Sequence, residues 1–306
     1  MGSANLEVGD TAGLETCATT DRQFESHPTI YPRLTWRRRV CQSGVTMKTL
    51  RRPFALGTLL VVLSSQVQAQ TSTPPAAVTV TNNAEAVHIN TAIVPVPRPD
   101  QRAMVRTELV LERAKTNSGP CDIAFIGDSI TQGWEGNGRN VWQKFYGERK
   151  ALNFGVGGDR TQHVLWRFDH GQLDGIQPKV CVLLIGTNNS NKDDNTEADI
   201  LAGVNAIVSG IRKRLPQSKL IVLGIFPRGS TFSTQRGKIL QVNQALAKLA
   251  DGKSVYYVDF GSQLIESDGS ISREIMPDYL HLTERGYQIW AEATEPLLKQ
   301  LLGAAK

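Results

Sequence analysis

Ser129 closes the run Asp122-Ile-Ala-Phe-Ile-Gly-Asp-Ser129, in which apolar residues pass straight into Gly127-Asp128-Ser129. This is the pattern of a buried parallel strand ending in a tight turn. In open α/β sheets that strand end faces the ligand crevice, so a hydroxyl delivered there is placed to attack a substrate. Alone, the serine is equally well explained as a polar cap on the next helix. Asp278 and His281 change the balance. They stand three residues apart, so one tight turn holds carboxylate and imidazole together. With Ser129 they make the nucleophile, base and orienting acid that acyl transfer needs.

Acyl transfer also needs donors aimed at the developing oxyanion. The main-chain N–H groups of Ser129 and Gly158 and the side-chain amide of Asn188 are the candidates. Glycine at 158 lets the backbone approach the substrate closely. Asp128, Arg160, Trp134, Trp166 and Arg228 fall near the same crevice and are candidate substrate contacts, the two tryptophans being equally well explained by packing, while His163 is a distant second choice of base.

Alternating elements must position these residues. An amphipathic helix is expected over 101–115 from Met104, Leu109, Val110 and Leu111. Strands follow at Asp122–Ile126, Ala151–Phe154, Val180–Ile185, Lys219–Phe226 and Ser254–Asp259. Helices intervene around 140–148, 161–168, 197–215 and 235–250, and a last one spans 283–302. Thr196 and Asp199 have capping-box spacing. Strands alternating with helices imply right-handed crossovers and a five-stranded parallel sheet covered on both faces, one doubly wound domain. Ser129, Gly157-Gly158, Asn188-Asn189, Pro227-Arg228-Gly229 and Pro277–His281 all follow strands, so they share one rim.

Rival motifs fail on spacing. The serine turn lacks the second glycine of a G-x-S-x-G elbow, and Arg160 stands where a dinucleotide fingerprint would have its third glycine. His163 and His170 do not make H-E-x-x-H, and Asp193-Asp194 lack calcium-loop spacing, so neither metal nor other cofactor is implied.

The formal charge is +5 over 306 residues, and residues 1–69 hold eight basic against five acidic residues, leaving the rest nearly neutral. There is no electrostatic footprint for nucleic acid. Met47-Lys-Thr-Leu-Arg-Arg, the ten apolar-rich residues Phe54–Leu63 and Gln66-Val-Gln-Ala69 have the layout of a secretory signal. The apolar run is short of the roughly 20 residues needed to span a bilayer. The expected organisation is a non-native or misassigned extension over 1–46, a signal peptide over 47–69, a linker or strap over 70–99 and a catalytic domain over 100–306. The protein is then secreted or periplasmic, without stable membrane insertion. Of the four cysteines only Cys121 and Cys181 survive signal cleavage, and they read as small core residues rather than a disulfide.

At Gly127-Asp-Ser-Ile130, Asn153-Phe-Gly-Val-Gly-Gly-Asp159, Thr161–Arg167, Gly186-Thr-Asn-Asn189, Pro227-Arg-Gly229 and Asp278-Tyr-Leu-His-Leu-Thr283 the chain resembles the SGNH (GDSL) hydrolases. In detail it is similar to platelet-activating-factor acetylhydrolase catalytic subunits and their bacterial relatives, over about Val94 to Leu302. The resemblance implies a flavodoxin-like three-layer α/β/α sandwich, a Ser129–His281–Asp278 triad and Ser129, Gly158 and Asn188 as oxyanion donors. It also implies a serine esterase releasing short acyl groups, acetyl above all, from an acylated small molecule or polysaccharide. O-acetylated carbohydrate is the first substrate class for an exported member and a phospholipid ester the second. A catalytically silent carbohydrate-binding module is the reading from another class, and the intact triad argues against it. The oligomeric state is open, a homodimer included.

Overall fold

The strand β1, Gly119–Gly127, carries Ile123 and Phe125 to one side and Ala124 and Ile126 to the other, and all four side chains are fully buried. A strand buried on both faces needs helices on both faces. The computed structural model describes residues 88–192 and 194–303 and shows that arrangement. In chain order the elements are α1 (Gln101–Thr116), β1, α2 (Ser129–Gln132), α3 (Arg139–Tyr146), β2 (Ala151–Gly155), α4 (Thr161–Asp169), β3 (Ile176–Leu184), α5 (Glu197–Arg214), β4 (Lys219–Leu223), α6 (Thr234–Leu246), β5 (Val255–Val258) and α7 (Glu284–Leu302).

The five strands run parallel in the order β2-β1-β3-β4-β5. Gly127 is level with Gly155 on one side and Leu184 on the other, so the turns after β1, β2 and β3 open at one height. α1, α4, α5 and α6 bury Val110, Val164, Ile207 and Ile239 against one face of the sheet. α3 and α7 cover the other with Val141, Tyr146, Tyr287 and Trp290. This is the α/β/α sandwich expected from the sequence.

Three local readings are corrected. In α1 the buried stripe is Ala103, Thr107, Val110 and Ala114, while Met104 and Leu109 are exposed. Small residues at helical spacing let α1 sit close to the sheet, and size alone misplaced the face. The β4 ladder stops at Leu223 rather than Phe226 because β5 ends at Val258 and offers no further partner. Gly224–Phe226 stay buried all the same. The helix expected over 235–250 is α6 followed by a separate 3-10 turn at Ala247–Leu249. α2 has only four residues and leaves no periodic trace in the sequence.

Of the linker expected over 70–99, residues 88–99 run across the N-terminal ends of α4 and α5. Thr161 Oγ1 donates to the Ala92 carbonyl at 2.7 Å, Asn195 Nδ2 to Thr91 Oγ1 at 3.0 Å, and His88 meets Asp199 at 2.8 Å. The signal reading over 47–69, the extension over 1–46, Cys17, Cys41 and residues 70–87 lie outside the described residues. Among the described residues no helix is long and apolar enough to cross a membrane.

Candidate active site

The turn between β1 and α2 forces Ser129 outward. A side chain at Gly127 would strike the Thr131 hydroxyl at 2.2 Å and the Leu184 carbonyl at 2.3 Å, so only glycine lets β1 end this close to α2 and β3. Asp128 caps α2, its Oδ1 accepting from the Ile130 N–H at 3.0 Å. The Tyr287 hydroxyl donates to the Ile130 carbonyl at 2.6 Å and ties the serine turn to α7.

His281 Nε2 lies 2.9 Å from Ser129 Oγ, and His281 Nδ1 lies 2.6 Å from Asp278 Oδ2. The other oxygen of Asp278 accepts from the main-chain N–H groups of Leu280 at 3.1 Å and His281 at 2.8 Å. Burial opposes the charged carboxyl of Asp278, but the bonds from the His281 side chain and main chain outweigh it and hold its pKa below the usual carboxylate range. A stably ionised acid beside Nδ1 fixes the tautomer that leaves Nε2 free to accept from the serine hydroxyl. The turn that does this carries Tyr279 at φ 60°, left-handed for a non-glycine residue.

On the opposite lip, Gly158 has φ +75° and its Cα faces the Arg98 guanidinium, into which a Cβ would run at 2.4 Å. Gln132 Oε1 accepts from the Gly157 N–H at 2.7 Å and pins this turn to α2. Among the described residues no acceptor takes the Ser129 or Gly158 N–H. Asn188 Nδ2 donates to the Asp159 carbonyl at 2.9 Å, which spends one of its two amide protons and orients the other. A hydroxyl backed by imidazole and carboxylate, with N–H groups on two neighbouring turns, is an arrangement that can carry acyl transfer.

The five candidate substrate contacts separate. Arg160 is partly exposed and pairs with Asp194 at 2.6 Å. Arg228 is partly buried and donates to the Thr187 carbonyl at 3.1 Å and Asn191 Oδ1 at 3.0 Å. The other three are corrected. Asp128 is fully buried under the serine turn, and its pKa is pushed up to about 7 by burial, against opposing attraction from His281 and Arg228. Trp134 is 1% exposed and packs on Tyr287 at 4.5 Å and Trp290 at 5.0 Å, so it is core. Trp166 stacks on His170 at 3.6 Å in the last turn of α4, the end away from the crevice. His163 accepts from the Arg160 N–H at 2.9 Å, and burial followed by the cations Arg98 and Arg160 lowers its pKa to about 4.

Two supports went unread in the sequence. Asn189 is fully buried and bridges Thr161, Gln162 and Asn195, locking the start of α4 to the turn after β3. Asp159 and Arg167 form a buried ion pair directly behind Gly158. Both residues stand in the segments that carry the family resemblance, but their pairing leaves no trace there, because Asp159 precedes α4 and reaches Arg167 through the turn rather than along one helix face.

The GDSL-like Lipase/Acylhydrolase family model matches residues 125–289. Human platelet-activating factor acetylhydrolase IB subunit alpha2 is 42% identical over 185 residues, which cover 59% of this chain and 77% of that one. The human alpha1 subunit is 40% identical over 182 residues, covering 59% and 77%. A solved structure from Streptococcus pneumonia, named for platelet activating factor, superposes with a TM-score of 0.56 at 26% identity, covering 64% of this chain and 92% of its own. An acylhydrolase from Bacteroides fragilis shares the fold, with a TM-score of 0.55 at 19% identity over 67% of this chain and 100% of its own. With its serine turn, strands β2 to β5 and more than half its length inside the matched residues, the chain belongs to the GDSL-like lipases and acylhydrolases and is a carboxylic ester hydrolase.

Proposed function

We propose that the protein is an exported serine esterase that removes short acyl groups, acetyl first, through an acyl-enzyme formed on Ser129. His281 takes the hydroxyl proton as Ser129 attacks the ester carbonyl, and Asp278 stabilises the imidazolium. The N–H groups of Ser129 and Gly158 and the amide of Asn188 hold the oxyanion. His281 then returns the proton to the leaving alcohol, and water repeats the sequence to free the acid. The observation that carries this reading is the continuous hydrogen-bonded line from Asp278 through His281 to Ser129.

O-acetylated carbohydrate is the alcohol half that suits an exported enzyme, and that part rests on the signal-like residues 47–69. The acetyl preference is supported by the names of the acetylhydrolase relatives. Those names also favour a second reading, an acetylated phospholipid. Acetylated xylan, acetylated monosaccharides and an acetyl phospholipid assayed side by side decide between them. Release from the phospholipid alone sinks the carbohydrate reading. A p-nitrophenyl octanoate rate above that for the acetate sinks the short-acyl reading. N-terminal sequencing of protein from the native host tests export, and finding residues 1–46 on the secreted form overturns the assignment of 47–69.

A further inference from the structure

Arg236 stands in the first turn of α6, three residues after the cap Ser233, and is 8% exposed. A cation there meets the positive end of the helix dipole, and burial removes its water. Among the described residues no carboxylate compensates it; burial is the one influence on its pKa, and it lowers it. The guanidinium grips main-chain carbonyls instead. Nε donates to Arg228 at 3.2 Å, Nη2 to Gly229 at 2.7 Å and Nη1 to Gly269 at 2.5 Å. A planar fork holds several carbonyls at once in fixed directions, of which a lysine could keep only some.

The gripped segments lead to the active site. The Gly229 N–H donates to the Tyr279 carbonyl at 2.9 Å, and the Ile271 N–H to the Ser230 carbonyl at 3.0 Å. Tyr279 sits between Asp278 and His281 in its left-handed conformation, which is strained for a non-glycine residue and persists only where neighbours impose it. Arg228, held by its carbonyl, sends its own guanidinium to Thr187 and Asn191, on either side of Asn188. One side chain thus reaches both the turn with the acid and base and the turn with the oxyanion amide.

We propose that Arg236 is a positioning residue for ester hydrolysis: by clamping the carbonyls of Arg228, Gly229 and Gly269 it holds the 278–281 turn against Ser129 and the 187–191 turn against Gly158. The proposal rests on the reading of Ser129, His281 and Asp278 as the triad. A purely structural clamp would lower the melting temperature and leave the turnover of folded enzyme unchanged.

The test is steady-state hydrolysis of p-nitrophenyl acetate by the full chain and its Arg236→Met and Arg236→Lys variants, with hydrogen exchange at the Gly229 amide. Arg236→Met is expected to lower kcat by about tenfold or more, since small misplacements of reacting groups are costly. KM should stay within about threefold, as for a loss confined to the transition state. The Gly229 amide should exchange faster, and Arg236→Lys should recover part of kcat. If the Met variant does not fold, Arg236→Lys carries the test through the same two readouts. Wild-type kcat in a folded variant overturns the proposal, as does a lowered kcat with unchanged exchange at Gly229. A wild-type chain without Ser129-dependent activity overturns the esterase reading and this one with it. An active wild type beside an equally active variant overturns this one alone.

Discussion

His281 Nε2 stands 2.9 Å from Ser129 Oγ although 152 residues separate them in the chain. The contact depends on the crossover from β1 to the segment beyond β5 bringing both to one rim. Asn188 reaches the same rim from a third turn, with one amide proton on the Asp159 carbonyl. Asn188→Ala should therefore cost roughly 100- to 1,000-fold in kcat on p-nitrophenyl acetate, the usual loss for one oxyanion donor. Ser129→Ala should fall nearly to background and serves as the control. Unchanged turnover in Asn188→Ala removes that residue from the oxyanion hole.

Asp128 links pH to stability. Its pKa is raised from 3.8 to about 7, with burial the largest cause. Between those values the folded protein keeps a proton that the unfolded chain has released, so stability is full below the lower value and declines as pH rises through the upper one. Thermal unfolding from pH 4 to 8 should show the wild type losing up to about 4 kcal/mol relative to Asp128→Asn, which keeps the capping oxygen. Parallel curves for the two proteins would show that the buried carboxyl does not titrate in this range.

Asp159 and Arg167 are both shut away from water behind Gly158. Arg167→Met leaves Asp159 buried without its partner and should destabilise by roughly 3–5 kcal/mol. Adding Asp159→Asn should return part of that loss. Urea unfolding of the two single variants and the double variant measures the coupling, and strictly additive effects would mean the pair does not act as a unit.

Trp134 sits where a substrate platform would be expected, one turn beyond the nucleophile, yet its ring lies among Phe125, Trp142, Tyr146, Tyr287 and Trp290. Trp134→Ala should cost about 3–5 kcal/mol of stability, as for large core aromatics. KM of the protein that remains folded should barely move. A large rise in KM with little loss of stability would return Trp134 to the substrate.

The parallel sheet was legible because a strand buried on both faces is apolar without interruption, as in Val180–Ile185, and so stands out from helical periodicity. The convergence of Ser129, Asp278 and His281 was legible because each follows a strand, and topology sends all such positions to one rim. Arg236 and Asn189 were not legible for a shared reason. Arg236 bonds to main-chain carbonyls, which no sequence displays, and Asn189 to side chains recruited from other elements. The buried face of α1 was misread because Ala103 and Ala114 do more packing than the larger Met104 and Leu109. Trp134 and Asp128 were misread because nearness to Ser129 in sequence says nothing about which side of the turn a side chain takes.

Cys121 and Cys181 lie on adjacent strands, 5% and 0% exposed, with thiols pushed by burial up to about 11 and about 12. Neither can form an attacking thiolate while the sheet is closed. In a chain whose Cys17 and Cys41 are replaced by serine, alkylation by iodoacetamide would then count the moments at which the interior comes apart. The crevice residues would keep their own surroundings, so one tube could follow opening through sulfur chemistry and turnover through ester colour without either signal contaminating the other.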